Sequence, residues 1–134
     1  MISFIIPLQK SDKLIVERIN VAFQFAQQYK GPCEIIALSD GAEDQKCQLA
    51  RLALKINKMN KPTIKTAMLQ HTNSLGLKET IKTGLTRVMG EKIIVLIDPT
   101  HKNGLTNMEL KGIFEGVEIA ESLDAIKNLN KQFN

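Results

Sequence analysis

The segment "IIVLIDPTHKNG", residues 93–104, joins a run of apolar residues to a single aspartate. Five apolar, mostly β-branched residues stand directly before Asp98, and a proline follows it. Such a run is typical of a parallel strand that is buried on both faces. Ligands of α/β proteins bind at the carboxyl ends of these strands, so Asp98 is a candidate binding residue. The alternative is a cap or turn residue that ends the strand without binding anything.

The composition predicts a single soluble domain. The chain has 134 residues, of which 43% are hydrophobic and 24% charged, as is usual in globular proteins. Its net charge of +4 favours anionic ligands. Aromatic residues make up only 4%, without tryptophan, whereas sites for single-stranded nucleic acid use stacked aromatic rings. We therefore predict one domain over residues 1–134 that does not bind nucleic acid.

The cysteines and the N-terminal residues bear on the cellular compartment. Cys33 and Cys47 lack the spacing of metal ligands and are predicted to be reduced thiols, as in cytoplasmic proteins. The opening residues "MISFIIP" enter a strand directly, without the pattern of a signal peptide. No apolar run reaches the roughly 18 residues that span a bilayer. The sequence predicts a cytoplasmic protein without a transmembrane segment, and it leaves peripheral membrane contact open.

Strand patterns and helix patterns alternate along the chain. Strands are predicted near residues 3–7, 33–40, 61–70 and 92–97, and helices near residues 11–29, 44–57 and 77–89. A further helix, a short strand and a last helix from Ser122 are predicted after them. Such alternation means βαβ units and a parallel sheet. The predicted fold is a three-layer α/β/α arrangement with a mostly parallel, Rossmann-like sheet.

The second predicted helix carries an apolar stripe and a basic stripe. The apolar stripe, on one side of the helix, consists of Leu49, Leu52, Ala53 and Ile56. The basic stripe, on another side, consists of Arg51, Lys55 and Lys58. We interpret the basic stripe as a solvated face rather than as a nucleic-acid site.

A second aspartate, Asp40, ends the second predicted strand as Asp98 ends the fourth. In a parallel sheet both residues lie at the carboxyl edge, where they can face one crevice. For Asp40 too, a role as a cap or turn residue is the alternative, because a glycine suited to a turn follows it.

The glycine-rich segment "NSLGLKETIKTGL", residues 73–85, is a candidate phosphate site. Gly76 and Gly84 are predicted to flank the start of a helix, where backbone N–H groups and the helix dipole favour an anion. Lys78 would add positive charge there, although an exposed side chain is the ordinary fate of a lysine.

Four segments, taken in order, resemble a known family. They are "FIIPLQKSD", "IIALSDGAED", "LGLKETIKTGL" and "IIVLIDPTHKNG". Together they resemble the nucleotide-sugar-binding half of the family 2 glycosyltransferases with the GT-A fold, and among these the dolichol-phosphate mannose synthases. The resemblance covers about residues 2–104. It implies a truncated GT-A domain whose ligand is a nucleotide or a GDP- or UDP-linked sugar.

The resemblance also implies a set of donor-binding residues. Pro7 matches the proline of the family's base-binding turn, and Asp98 matches the first acid of its Asp-x-Asp motif. The implied donor-binding residues are Pro7, Leu8, Asp40, Gly76, Lys78 and Asp98.

Thr100 stands where the family has the second acid of that motif. The paired acids of the family hold Mg²⁺ or Mn²⁺ against the diphosphate, and one carboxylate with a hydroxyl holds such a cation less well. The resemblance implies Asp98 as the remaining metal ligand. A second possibility is that His101 or Lys102 supplies a protein cation in place of the metal.

The sequence therefore leaves three functions open. The first is a degenerate transferase domain that binds a nucleotide or nucleotide sugar with little or no activity of its own. The second is an active sugar transferase completed by homo-oligomerisation or by a partner chain, because the acceptor half of the family is missing from residues 1–134. The third is a non-catalytic interaction scaffold. Under the first two, Asp40→Ala and Asp98→Ala are expected to weaken nucleotide binding with little loss of fold.

Overall fold

The computed structural model describes residues 1–9, 14–98, 106–121 and 125, in which strands and helices alternate as predicted. The elements are β1 (Ile2–Gln9), α1 (Ile15–Gln28), β2 (Cys33–Asp40), α2 (Asp44–Asn60), β3 (Lys65–His71), α3 (Leu77–Leu85), β4 (Lys92–Leu96), α4 (Asn107–Ile113) and β5 (Val117–Ala120). The predicted last helix from Ser122 lies outside the described residues, except for Ala125. None of the described helices combines the length and apolar content needed to cross a bilayer.

The five strands form one parallel sheet in the order β3-β2-β1-β4-β5. Helices cover both of its faces, with α1 and α2 on one side and α3 and α4 on the other. The predicted fold class is therefore confirmed. From the central strand β1 the chain moves outward to β2 and β3, then returns to the other side of β1 with β4 and β5. This reversal places a topological switch point between β1 and β4.

The central strand β1 serves both faces of the sheet and is longer than predicted. Phe4 lies in the core beneath α1, whereas Ile5 packs against α3, since successive side chains alternate. The sequence predicts the end of the strand at Pro7, but β1 continues to Gln9. Pairing with β4 stops at Ile5, and Pro7 pairs only with Leu38 of β2. A proline is tolerated because, among the described residues, one side of the strand has no pairing partner at this position.

The helix α2 buries a different side from the predicted one. Its buried residues are Cys47, Ala50, Ala53 and Leu54. Leu49, Leu52 and Ile56 are 47%, 52% and 51% exposed, so three of the four residues predicted to share an apolar side face outward. The small alanine and cysteine side chains let the helix approach the sheet, and this leaves the larger apolar residues on the surface.

The helix α3 packs directly on β1 through Gly84. A Cβ atom at this position would lie 2.8 Å from Cγ2 of Ile5, closer than non-bonded carbon atoms approach without strain. Gly84 is in the last turn of α3 rather than at its start. The interpretation of Gly84 as one side of a phosphate-binding helix start is thereby corrected, because close packing explains the glycine.

Both cysteines are buried free thiols, as predicted. Burial raises the pKa of the Cys33 thiol to about 11. Sγ of Cys47 lies 3.2 Å from Oγ of Ser39, so this thiol joins the start of α2 to the end of β2.

Candidate functional site

The carboxyl ends of β1 and β4 separate at the switch point. Their pairing ends at Ile5 and Val95, whereas β1 runs on to Gln9. On the other side, the N–H of Ile97 still bonds to β5, at 3.0 Å, and the half-buried Asp98 follows. Crevices at this place in α/β proteins bind ligands. Asp98 therefore lies at the edge that its sequence position predicts.

A buried arginine, Arg18 of α1, lies behind the same edge. It is 8% exposed, and its Nη2 atom donates to the carbonyl oxygen of Pro7 at 3.0 Å. Because a guanidinium keeps its charge when buried, positive charge lies beside the end of β1. Sequence reasoning missed this residue, although its helical spacing from Ile15 and Ile19 signals an inward position. Pro7 and Leu8 are buried as well.

Asp40, at the end of the neighbouring strand β2, points into the protein. It is 2% exposed. One carboxylate oxygen accepts hydrogen bonds from the N–H of Leu75 at 2.8 Å and from Nδ1 of His71 at 2.9 Å, and the other accepts from the N–H of Gly76 at 2.9 Å. Asp40 thus closes the turn before α3. Its role as a donor-binding residue stays a prediction.

The pKa of the Asp40 carboxyl is lower than its ordinary value. Burial by itself raises the pKa, but the N–H groups of Leu75 and Gly76 and the His71 ring together stabilise the carboxylate by more. Asp40 is therefore ionised at neutral pH. Its negative charge lies at the N-terminus of α3, where the helix dipole also favours an anion.

The His71 ring extends this hydrogen-bond series to α3. Its Nε2 atom lies 2.7 Å from Oγ1 of Thr83. The order Asp, His, hydroxyl occurs in nucleophilic hydrolases, but here the Thr83 hydroxyl donates its proton to the carbonyl oxygen of Glu79 in its own helix at 3.0 Å. The series therefore joins β2, β3 and α3. The sequence predicts that the third strand ends at residue 70, whereas His71 is the last residue of β3.

Two turns at this corner contact each other through their backbones. Gly41 has a φ of +73°, and a Cβ atom there would lie 2.7 Å from the backbone nitrogen of Ser74. Oγ of Ser74 donates to the carbonyl oxygen of Asp40 at 2.7 Å. Gly76, with a φ of 98°, is the N-cap of α3. An internal carboxylate thus occupies part of the predicted phosphate site, beside the exposed Lys78; phosphate binding there stays a prediction.

The described residues offer no site for a divalent cation. They contain no group of three or more His, Cys, Asp or Glu side chains that could share an ion. Asp98 alone supplies too few charged oxygens for Mg²⁺ or Mn²⁺. Thr100, His101 and Lys102, on which the predicted weak metal site and the predicted substitute cation depend, lie outside the described residues.

A cavity of about 540 Å³ lies at the opposite edge of the sheet, between the ends of α1 and α2 and the start of β2. Tyr29, Cys33 and Lys61 are among its lining residues. Ligands of parallel α/β proteins bind at the carboxyl edge, so we do not assign this cavity to the candidate site.

The pKa of Asp40 predicts a loss of stability in acid. Because the folded-state pKa is lowered, the stability that Asp40 contributes is fully present above its unfolded pKa of about 3.9 and is lost as the pH falls through the folded value. The stability difference between the wild type and Asp40→Asn should therefore narrow as the pH falls from about 7 to about 3. Urea denaturation of both proteins across this pH range measures the difference in the free energy of unfolding. A constant difference would contradict the ionised state of Asp40.

These observations define the class of the protein: a Rossmann-like α/β protein with an aspartate at its switch point. Among solved structures, it is similar to the mannosyltransferase PcManGT from Pyrobaculum calidifontis in complex with GDP-Man and Mn²⁺, with a TM-score of 0.53 and 14% identity. The similarity covers 72% of this chain and 26% of that one. No protein-family model matches the sequence, and no curated protein matches it. The similarity shows a fold that this mannosyltransferase also has.

Proposed function

We propose that this chain is a glycosyltransferase-like domain of the family 2 type that binds a nucleotide or a nucleotide sugar and by itself transfers little or no sugar. The observation that carries the proposal is the position of Asp98 at the switch point of a fold shared with a mannosyltransferase solved with GDP-Man and Mn²⁺. The order of the four sequence segments that resemble family 2 supports the same ligand class.

The proposed binding mode assigns a task to each part of the carboxyl edge. Asp98 accepts hydrogen bonds from hydroxyl groups of the bound nucleotide or nucleotide sugar, as a half-buried carboxylate can. Pro7 and Leu8 are buried, so they contribute backbone atoms rather than side chains. Arg18 adds positive charge behind this backbone, which favours an anionic ligand. Asp40 holds Gly76 and the start of α3 in place, and Lys78 supplies a cation for the phosphates.

The proposed lack of transfer rests on the residues that are present to hold a metal ion. The sequence has Thr100 in place of the second acid, and the described residues form no metal site. The chain spans 26% of the length of the mannosyltransferase. The alternative is an active sugar transferase completed by homo-oligomerisation or by a partner chain.

Calorimetric titration tests the proposal. The purified protein is titrated with GDP, UDP, GDP-mannose and UDP-glucose, each with and without Mn²⁺. We expect saturable binding of at least one ligand without the metal, and an affinity at least about tenfold lower for Asp98→Ala, since hydrogen bonds to charged groups contribute about 1.5–3 kcal/mol. The matched control is Glu91→Ala, because Glu91 is an exposed acid just before the same strand β4, at the other edge of the sheet.

Three results would count against the proposal or change it. Binding that Asp98→Ala leaves unchanged would place the ligand elsewhere. Binding only with Mn²⁺ would restore the predicted metal site at Asp98. No heat with any ligand, at protein concentrations that detect millimolar dissociation constants, would favour the interaction scaffold.

A further inference from the structure

The outer face of α2 carries a continuous apolar stripe. Its members recur every three or four residues, so they lie on one side of the helix over about three turns. They are Leu49, Leu52, Ile56 and Met59, which are 47%, 52%, 51% and 74% exposed. A single exposed leucine needs no explanation, but a contiguous apolar surface marks an interaction site.

A strongly basic segment accompanies this stripe. From Gln45 to Lys65 the sequence has no acidic residue and six basic ones, which are Lys46, Arg51, Lys55, Lys58, Lys61 and Lys65. Because the whole chain has a net charge of +4, the rest of it has a net charge of −2. Arg51 and Lys55 are exposed on the helix side next to the stripe, and Lys58 donates to the carbonyl oxygen of Ile64 at 3.0 Å. We call the four apolar residues with Arg51, Lys55 and Lys58 the α2 patch.

The shape and charge of the α2 patch select its partner. The opposite side of α2 packs in the core, so the patch is a preformed, convex helix face. In an antiparallel pair of α2 helices related by a two-fold axis, the two basic stripes would lie on the same side, and this costs energy. The cavity beside Cys33 includes no residue of the patch. A second cavity, lined by Glu34, Lys65 and Met89 among others, includes none either, so neither gives the patch a groove for an acidic peptide. A flat anionic surface, by contrast, accepts an apolar stripe and neighbouring cations together.

We propose that α2 binds this protein to the surface of an anionic membrane. The helix lies in the plane of the interface, with Leu49, Leu52, Ile56 and Met59 among the lipid headgroups and upper acyl chains. Arg51 and Lys55, which are exposed, contact lipid phosphates and anionic headgroups, and Lys58 adds positive charge beside them. This binding is independent of the proposed nucleotide site, which lies at the carboxyl edge of the sheet and does not include α2.

Vesicle flotation tests the proposal with the full chain. Vesicles of phosphatidylcholine alone are compared with vesicles that contain phosphatidylserine at about 30 mol%. We expect binding to the anionic vesicles that weakens with added salt. Arg51→Gln with Lys55→Gln should lower the partition coefficient on the order of 30-fold. Leu52→Ser with Ile56→Ser should lower it by about 10-fold or more.

A matched control comes from α4, which also exposes a methionine and a lysine. Met108→Ser with Lys111→Gln removes an 84% exposed methionine and a basic residue outside α2, and it should bind the vesicles like the wild type. All the substituted side chains lie at the surface, so each variant should fold. Circular dichroism of each variant checks this.

Four outcomes would overturn the proposal. The first is failure of the folded wild type to bind anionic vesicles. The second is binding that survives the loss of Leu52 and Ile56, which would mean adsorption by charge alone. Saturable binding to soluble poly-glutamate without vesicle binding would assign the patch to an acidic protein. A dimer in sedimentation that disappears in the Leu52→Ser with Ile56→Ser variant, without vesicle binding, would assign it to a second copy.

Discussion

Replacing Asp40 by alanine is expected to lower the free energy of unfolding by about 3–5 kcal/mol. The carboxylate is 2% exposed and accepts hydrogen bonds from Leu75, Gly76 and His71. Its loss leaves backbone donors without an acceptor and a histidine without its partner, and unsatisfied buried groups cost about 1–3 kcal/mol each. Since a domain is stable by only about 5–15 kcal/mol, urea denaturation should detect the change clearly.

The control for this substitution is Asp44→Ala. Asp44 is an exposed aspartate at the start of α2, so its loss should cost no more than about 1 kcal/mol. Similar unfolding midpoints for the two variants would contradict the structural role of Asp40. The sequence alone predicts little loss of fold for Asp40→Ala. The structure replaces that expectation, and a loss of nucleotide binding in this variant becomes interpretable only beside its stability.

Replacing Gly84 by alanine is expected to destabilise the protein by about 1–3 kcal/mol. In most helices this change is stabilising, because alanine has the higher helix propensity. Here the new Cβ atom would lie 2.8 Å from Cγ2 of Ile5, and Ile5 is fully buried and cannot move aside. Either α3 or β1 must shift. Thermal and urea unfolding of the variant measure the cost.

A second glycine within a helix provides the opposite expectation. A Cβ atom at Gly112, in α4, would meet nothing within 4 Å. Gly112→Ala should therefore stabilise the protein slightly, by up to about 1 kcal/mol. If both alanine variants shift stability in the same direction, the close contact between α3 and β1 is not the reason for Gly84.

The strands were predictable because their signal is local. Runs such as "FIIP" and "IIVLI" are apolar at every position, which only strands buried on both faces require. Their order along the chain, alternating with helices, then gives a parallel sheet. The position of β1 at the centre depends on which strands pair, and no single segment of the sequence carries that information.

The orientation of α2 was not predictable from residue size. The pattern of Leu49, Leu52 and Ile56 suggests an inward face, but the residues that contact the core are mainly small. Arg18 shows the reverse case, because a charged residue lies inside at a position with inward spacing. In α2, tertiary packing overrides the apolar pattern, whereas for Arg18 the spacing indicates the inward side and only the charge of the residue argues against it.

The two strand-end aspartates show how far site prediction reaches. Their place at the carboxyl edge follows from strand order alone, and both lie there. Whether such a carboxylate points to a ligand or into the protein depends on its partners. The Asp40 carboxylate has three hydrogen-bond donors, which belong to residues 31–36 positions further along the chain. The sequence near Asp40 does not predict them.

The central position of β1 has a consequence for synthesis of the chain. Ile2 pairs with Cys33 on one side and with Lys92 on the other. On the ribosome, β1 can therefore join β2 early, but its second edge has no partner until β4 has been made. During that interval the nascent chain exposes an apolar strand edge, a feature that pairs readily with other chains. The hazard of aggregation thus belongs to the unfinished chain, because in the completed fold β4 covers this edge.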